Sequence, residues 1–511
     1  MSARTFLLPA ACILVLAGLA RGPLHRATFG LPVSNDDAIP LLMARHLLRG
    51  ELATTLWNQP YNGALDAYLL APGLALGPAH GVFRGYEAVC AALLVLLVFV
   101  LARAIGGRAA GWTAAGLAAF GTPYMGLMTA TGPPPNFLMP LVTGLPLAVA
   151  LVHWRATDGA AGGASGPGPL ACGVLGLVSG LAVWNSSLAI PAFVGMAVGL
   201  VLAGARVSGH DRLRAVAFAA GALLGASPLL LARLLGASGT SVVTAASAVT
   251  ALRPPWLWAQ GLSDLGHALT GLLGLQVPLV VDGPERASLP LPVSLGLGLA
   301  LVLACGLGAQ ARRALPLLGW AGALASAFAL SRRTGPDELR YLYGLNAPLL
   351  ALAGIGVARL FARRRGAALV LGAFVLGSWG LGHRLVLKAW RDPAHAARVW
   401  QVPSLAPTLA TLTHARVESA YASLQFAGRL TLESDERLIA SQAWNERIPG
   451  DPLRFRDEVD LDPRAAWALS PHLSRGMPRA DGFRELLRGL GGSWREEAAG
   501  DLVVFRSFRP P

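Results

Sequence analysis

Ser34-Asn35-Asp36-Asp37-Ala38 sets two adjacent carboxylates just beyond the first apolar segment of the chain. Before it, Thr5–Ala20 is apolar enough to enter a bilayer, and after it further such segments dominate as far as Leu387. An acid pair at the mouth of a first membrane crossing has two readings. Either it caps the helix that follows or it performs chemistry at a membrane surface. Ala38–Leu48 has a helical pattern, with Leu41, Leu42 and Leu48 on an apolar side and Arg45 and Arg49 on a polar one. Pro40 suits only the first turn of such a helix, where a missing N–H costs nothing. Asp is a preferred N-cap residue and complements the helix dipole, so these residues alone favour a cap.

Composition decides the class of protein. Of 511 residues 54% are hydrophobic and 14% charged, against about 25% charged in soluble domains, so the chain reads as polytopic. Cys12, Cys90, Cys172 and Cys305 are widely spaced within apolar runs and read as small core residues. The net charge of +14 does not indicate nucleic acid. From Arg391 to Pro511 there are 16 basic and 16 acidic residues, so the surplus lies wholly in the apolar part, as in loops that grip a membrane surface.

Eleven crossings are expected: Thr5–Ala20, Tyr86–Ile105, Ala109–Met128, Asn136–Trp154, Leu170–Trp184, Leu188–Ala205, Ala215–Leu235, Leu291–Ala309, Ala314–Leu330, Leu342–Phe361 and Ala367–Leu387. Their Gly and Pro residues imply broken or kinked helices. With the N-terminus inside, Arg4, Arg103, Arg108, Arg155, Arg206, Arg212, Arg214, Arg312, Arg313, Arg359 and Arg363 to Arg365 fall on the cytoplasmic face. The same orientation puts Arg21–Gly85, Gly236–Pro290, Ser331–Tyr341 and the tail from Lys388 outside. The expected fold is an all-α polytopic bundle over residues 1–390, whose first outer loop (21–85) carries the acid pair, followed by a small α+β extracytoplasmic domain over 391–511. In that tail Phe483–Arg495 reads as an amphipathic helix and Asp501–Phe508 as a closing strand. Ala160–Pro169 reads as a cytoplasmic linker.

The first outer loop continues with Trp57-Asn58-Gln59-Pro60-Tyr61-Asn62-Gly63, then Asp66 and Tyr68. Aromatics beside Asn and Gln suit sugar rings, offering apolar faces with paired donors and acceptors. Taken singly, Trp57, Tyr61 and Tyr68 read as an interfacial aromatic belt. Beside an acid pair, the loop as a whole reads as a site.

Asp36-Asp37-Ala38 after the first crossing, Ala44-Arg45-His46-Leu47 with Gly50, and Gln59-Pro60 ahead of Leu65–Pro72 resemble the GT-C class of membrane glycosyltransferases, and within it the protein mannosyltransferase and aminoarabinose transferase-like group. Gly180-Leu181-Ala182-Val183-Trp184, Gly225–Pro228 and Asp337-Glu338-Leu339-Arg340-Tyr341-Leu342 add to the resemblance, which covers most of Met1–Leu387. It implies transfer of a sugar from a polyprenyl-phosphate carrier to an extracytoplasmic acceptor, usually with inversion, in the bacterial plasma membrane. It places the general base at Asp36. Asp37 stands where relatives often have Glu, so its role stays open among orienting Asp36, holding a cation and capping the helix.

A carboxylate is a natural base toward an acceptor hydroxyl. The departing lipid phosphate calls for guanidinium groups. Arg340 with Tyr341 matches an Arg-Tyr pair of relatives, and Arg84 is the second candidate; headgroup anchoring is the plain alternative for both. Gln59, Tyr61 and Asp66 are candidate sugar or acceptor contacts. No metal site is expected from His25, His46, His80 and His267, which lack ligand spacing. No cofactor is assigned, and the need for a divalent cation stays open. Gly132-Pro133-Pro134-Pro135-Asn136 and Trp184-Asn185-Ser186-Ser187 read most simply as turns. Two other classes compete: a transporter or flippase, which places ionisable groups within its spans, and a non-enzymatic envelope assembly protein. The acids lie in outer loops here, with Glu87 the nearest exception.

Overall fold

A computed structural model describes residues 4–29, 32–131, 134–157, 167–204, 212–234, 252–281, 283–332, 334–392, 404–446, 452–472, 477–509 and 511. Most of the Ala160–Pro169 linker, Gly132 and Pro133 of the expected turn, and Arg206 of the cytoplasmic arginines lie outside the described residues. The chain divides into two compact units. The first comprises Met1–Gly30, Arg84–Pro228 and Ser247–Asp392; the second comprises Leu31–Phe83, Leu229–Ala246 and Pro393–Pro511. The first outer loop therefore shares a unit with the tail.

In chain order the helices are α1 (Arg4–Phe29), α2 (Asn35–Leu48), α3 (Leu65–Leu74), α4 (Ala79–Phe120), α5 (Pro123–Thr131), α6 (Pro134–Thr157), α7 (Pro169–Asn185), α8 (Ala189–Leu202) and α9 (Arg212–Leu234). They continue as α10 (Trp258–Leu272), α11 (Leu291–Ala309), α12 (Leu315–Leu330), α13 (Asn346–Arg363) and α14 (Arg365–Arg391), then α15 (Ala406–His414), α16 (Ala427–Glu433), α17 (Arg456–Asp460) and α18 (Ala480–Leu490). The strands are β1 (Thr55–Leu56), β2 (Gln59–Gly63), β3 (Gln276–Pro278), β4 (Arg286–Ser288), β5 (Ser419–Ala422), β6 (Ile439–Ser441), β7 (Ala466–Leu469), β8 (Ser493–Ala499) and β9 (Leu502–Arg509).

The first unit is a helical bundle. Among the described residues six helical stretches are long and apolar enough to cross a bilayer: Ala79–Phe120, Arg212–Ala232, Leu291–Ala309, Arg312–Leu330, Leu339–Arg363 and Arg365–Arg391. Length and apolarity thus stop short of the expected eleven. Ala79–Phe120 kinks at Gly107, whose φ of 88° lies in the left-handed region, so this one element covers a whole expected crossing and the start of the next. Ala109–Met128 is not one continuous helix, because α4 ends at Phe120, Gly121 takes φ 67° and Pro123 opens α5. Side chains take up the carbonyls left at that break. Arg21 donates to Ala118 and Ala119, and the His383 Nε2 lies 3.2 Å from both the Phe120 and Gly121 carbonyl oxygens.

Small residues let the helices approach closely. A Cβ on Gly180 of α7 would sit 2.1 Å from the Ala222 carbonyl oxygen of α9, and one on Gly225 of α9 would sit 2.2 Å from the Leu177 oxygen of α7. The Gly180–Trp184 and Gly225–Pro228 motifs are therefore two halves of one helix contact. α8 and α12 meet in the same way at Gly195 and Gly319.

The second unit joins two parts. In the loop, α2 packs on α3, and β1 pairs antiparallel with β2 across Trp57 and Asn58, with Asn58 at φ 62°. In the tail a five-stranded sheet runs in the order β6-β5-β7-β9-β8, with β5 parallel to β6 and β7 and the other pairs antiparallel. One face buries Leu405, Leu412, Ala420, Leu430 and Val504. The other stacks Trp467 on Phe483 at 4.6 Å, with Tyr421 and Phe505 beside them. The tail is thus mixed α and β, as its sequence suggests. Its amphipathic helix ends at Leu490, not Arg495, because Gly491 takes φ 78° as the C-cap and Ser493 begins a strand. The closing strand runs from Leu502 to Arg509.

Candidate functional site

The helix carrying the acid pair starts at Asn35, three residues before the pattern at Ala38. Its cap is Ser34. The Ser34 N–H donates to Asp37 Oδ2 at 2.8 Å, and the Asp37 N–H donates to Ser34 Oγ at 3.3 Å, which closes a capping box. Neither aspartate is the N-cap residue; Asp37 is its reciprocal partner. Pro40 consequently falls in the second turn, where it removes one i→i−4 bond. Asp37 is buried at 1% exposure, whereas Asp36, one position earlier in the same first turn, is half-buried. The box therefore fixes the backbone from which the more accessible carboxylate projects.

The tail reinforces that turn. The Gly428 N–H donates to Asn35 Oδ1 at 2.8 Å, bringing the start of α16 against the start of α2. The Arg429 guanidinium is fully buried, and desolvation lowers its pKa against the opposing effects of Glu433, 2.8 Å away, and of Asp37.

Farther along α2, Arg45 pairs with Asp435 at 2.9 Å, and Arg49 pairs with Glu436 at 2.7 Å. His46 lies between two carboxylates, with Nε2 3.1 Å from Glu436 and Nδ1 2.9 Å from Glu51. The Arg454 guanidinium sits over Trp57 at 4.9 Å and Phe455 at 5.0 Å, while the backbone N–H of Arg454 donates to Asn58 Oδ1. Trp57 also packs edge-on to His46 at 4.9 Å. Trp57 is thus packed within this unit, between His46, Arg454 and Phe455. The tail residues of this clasp, Asp435, Glu436, Arg454 and Phe455, have no sequence signal of their own. Only the Ala44–Leu47 motif hinted at one side of it.

Gln59 is buried in β2, and its Oε1 accepts from the Tyr61 hydroxyl at 3.3 Å and from Asn62 Nδ2 at 3.4 Å. Tyr68 donates to the Ala53 carbonyl. Asp66, 1% exposed, lies in the first turn of α3, the helix packed on α2. Asp36, Asp37, Gln59, Tyr61 and Asp66 all belong to the second unit.

Arg84, Arg340 and Tyr341 belong to the first unit. Arg84 is 4% exposed, lies 2.8 Å from the fully buried Glu87 and donates to the Ala130 carbonyl. Arg340 is half-buried in a short 3-10 segment, Leu339–Leu345, with its guanidinium 5.1 Å from the Tyr341 ring centre and 3.3 Å from its hydroxyl. The approach to that segment is stitched by arginines that the sequence reading passed over. Arg286 reaches the Pro336 carbonyl and Asp337, and Arg253 reaches Asp264 and the carbonyls of Ser331 and Thr334. Among the described residues no three His, Cys, Asp or Glu side chains are placed to share a metal ion.

No family model and no curated protein matches the chain. Solved structures do. The chain is similar to ArnT from Cupriavidus metallidurans bound to undecaprenyl phosphate, with a TM-score of 0.59 and 16% identity over 99% of this chain and 98% of that one. It is also similar to the archaeal oligosaccharyltransferase AglB from Archaeoglobus fulgidus in complex with an inhibitory peptide and a dolichol-phosphate, with a TM-score of 0.54 and 12% identity over 98% and 74%. A third likeness is to the Archaeoglobus fulgidus oligosaccharyltransferase in complex with Zn and sulfate, with a TM-score of 0.53 and 15% identity over 84% and 62%. The chain has the fold of the GT-C membrane glycosyltransferases.

Proposed function

We propose that this chain is an integral-membrane glycosyltransferase that moves a sugar from a polyprenyl-phosphate carrier to an acceptor outside the cytoplasm. The observation that carries this reading is the likeness, over almost the whole of both chains, to a transferase whose structure holds undecaprenyl phosphate. In the proposed reaction an acceptor hydroxyl attacks the anomeric carbon and gives its proton to the Asp36 carboxylate. The bond from that carbon to the carrier phosphate breaks, with inversion. Asp37, held in the capping box, positions Asp36. Arg340 with Tyr341, and secondarily Arg84, stabilises the departing phosphate. Gln59, Tyr61 and Asp66 contact sugar or acceptor. No step is assigned to a metal ion. The eleven crossings, the plasma-membrane location and the extracytoplasmic placing of loop and tail belong to the same proposal; the positive-inside distribution of arginines supports them.

The test is transfer from a polyprenyl-phosphate sugar by reconstituted protein. Asp36→Asn, folded as judged by an unchanged thermal midpoint, is expected to lose at least about 100-fold in rate, the lower range for loss of a general base. Full transfer by that variant would sink the assignment of Asp36.

A further inference from the structure

The last two turns of α14 carry Arg384, Lys388 and Arg391, spaced i, i+4 and i+7 and therefore on one helix face. All three are exposed, and all three line a single cavity of about 440 Å³. Its other walls include Pro23 and Leu24 of α1, Phe120 at the end of α4, and Leu387. None of the three cations makes an ion pair with an acid among the described residues. Like charges at i, i+4 destabilise a helix, and against three cations the adjoining sequence sets one acid, Asp392, so an anion from elsewhere would relieve the stripe.

The setting limits which anion. Arg365–Arg391 is long and apolar enough to span a bilayer, and the cations crowd its C-terminal end, where headgroups lie. A basic pocket between membrane helices with apolar walls suits a phosphate that carries hydrocarbon. A free phosphate would make no use of the half-buried Phe120 and Leu387 in its walls. A zwitterionic headgroup would bring its own ammonium against three cations.

We propose that this cavity is a binding site for a phospholipid of net negative headgroup charge. It uses neither Arg340 nor Arg84 and does not depend on the glycosyl-transfer reading.

The test is native mass spectrometry of the full-length protein in detergent, titrated with phosphatidylglycerol or phosphatidylethanolamine at equal concentration. The wild type should retain phosphatidylglycerol preferentially. Lys388→Gln should reduce that preference by about fivefold, the equivalent of roughly 1 kcal/mol per surface cation. The triple variant R384Q/K388Q/R391Q should abolish it, while R363Q/R364Q/R365Q at the junction of α13 and α14 should leave it intact. Equal retention of the two lipids by the wild type, or an undiminished preference in Lys388→Gln, would overturn the proposal. So would retention of inorganic phosphate in place of phosphatidylglycerol when the two compete, since the site would then take the free anion.

Discussion

His46 and Glu436 stand 390 residues apart in sequence and meet at 3.1 Å through the imidazole Nε2 and a carboxylate oxygen. The contact lies inside one compact unit built from the first outer loop and the C-terminal tail. It ties the helix that begins with the acid pair to the tail's sheet domain. The tail is thus part of the platform on which the candidate base stands.

Removing that tie should cost stability. Glu436→Ala leaves His46, which is 5% exposed, without one of its two carboxylates, and it strips Arg49 of its partner. A loss of about 1–3 kcal/mol is expected for a half-broken buried charged contact. The midpoint of thermal unfolding of the purified protein measures it, and an unshifted midpoint would show that the clasp is incidental.

The two aspartates should separate stability from activity. Asp37→Ala opens the capping box and should destabilise the protein by about 1 kcal/mol, with some transfer retained. Asp36→Asn should leave the unfolding midpoint in place and remove transfer. Equal effects of both substitutions on both measurements would contradict the division of roles.

Acid should weaken the second unit. Glu51 titrates below the ordinary glutamate value, chiefly through its hydrogen bond with His46, and Glu496 does so through its hydrogen bonds with Arg484. A carboxyl group whose pKa is lower folded than unfolded adds stability above its unfolded pKa. That stability is lost as pH falls through the folded value. The unfolding midpoint should therefore hold from neutral pH to about 5 and decline below it, and Glu496→Gln should make the decline shallower. A midpoint that rises on acidification would refute the sign.

Glycines in the bundle should differ by position. Gly180→Ala drives a methyl group into the Ala222 backbone oxygen, which cannot rotate away, so a loss of about 1–3 kcal/mol is expected from overpacking. Gly377→Ala, in α14, meets nothing within 4 Å and should be neutral or stabilising by roughly 0.5–1 kcal/mol. Detergent thermostability of the two variants checks the contrast.

Arg340→Gln should weaken use of the lipid-linked donor more than Arg84→Gln weakens it. Arg340 is half-buried and so more accessible to a lipid phosphate, whereas Arg84 is 4% exposed with the buried Glu87 at 2.8 Å. In the transfer assay, a larger loss of kcat/KM at Arg84 would reverse the order of the two candidates.

Much was legible from residue type and spacing, because apolar runs, arginine asymmetry and turn residues are local properties. Apolarity marked the helices, and the alternating tail strand and amphipathic helix were recognisable in outline. The kink at Gly107 falls between the expected crossings Tyr86–Ile105 and Ala109–Met128, but the break at Gly121 falls inside the second of them. An apolar run with glycines reads the same whether it continues or breaks at Gly121, where the backbone adopts left-handed angles. The true cap was missed for a similar reason. Asp36, Asp37 and Ser34 are all good capping residues, and only the pair of hydrogen bonds between Ser34 and Asp37 selects among them.

By itself the sequence determined that this is a membrane-embedded helical protein with an acid pair after its first apolar segment and a tail of balanced charge, since hydrophobicity and charge are carried by residues one at a time. Tertiary structure decided which of the two acids is sealed into the helix cap. It also decided that Arg45, His46, Arg49 and Trp57 face tail residues, and that two distant glycine motifs are one contact. Those are relations between side chains hundreds of residues apart or between facing backbones. No local pattern encodes them, because each forms only when folding closes the long loop that separates its partners.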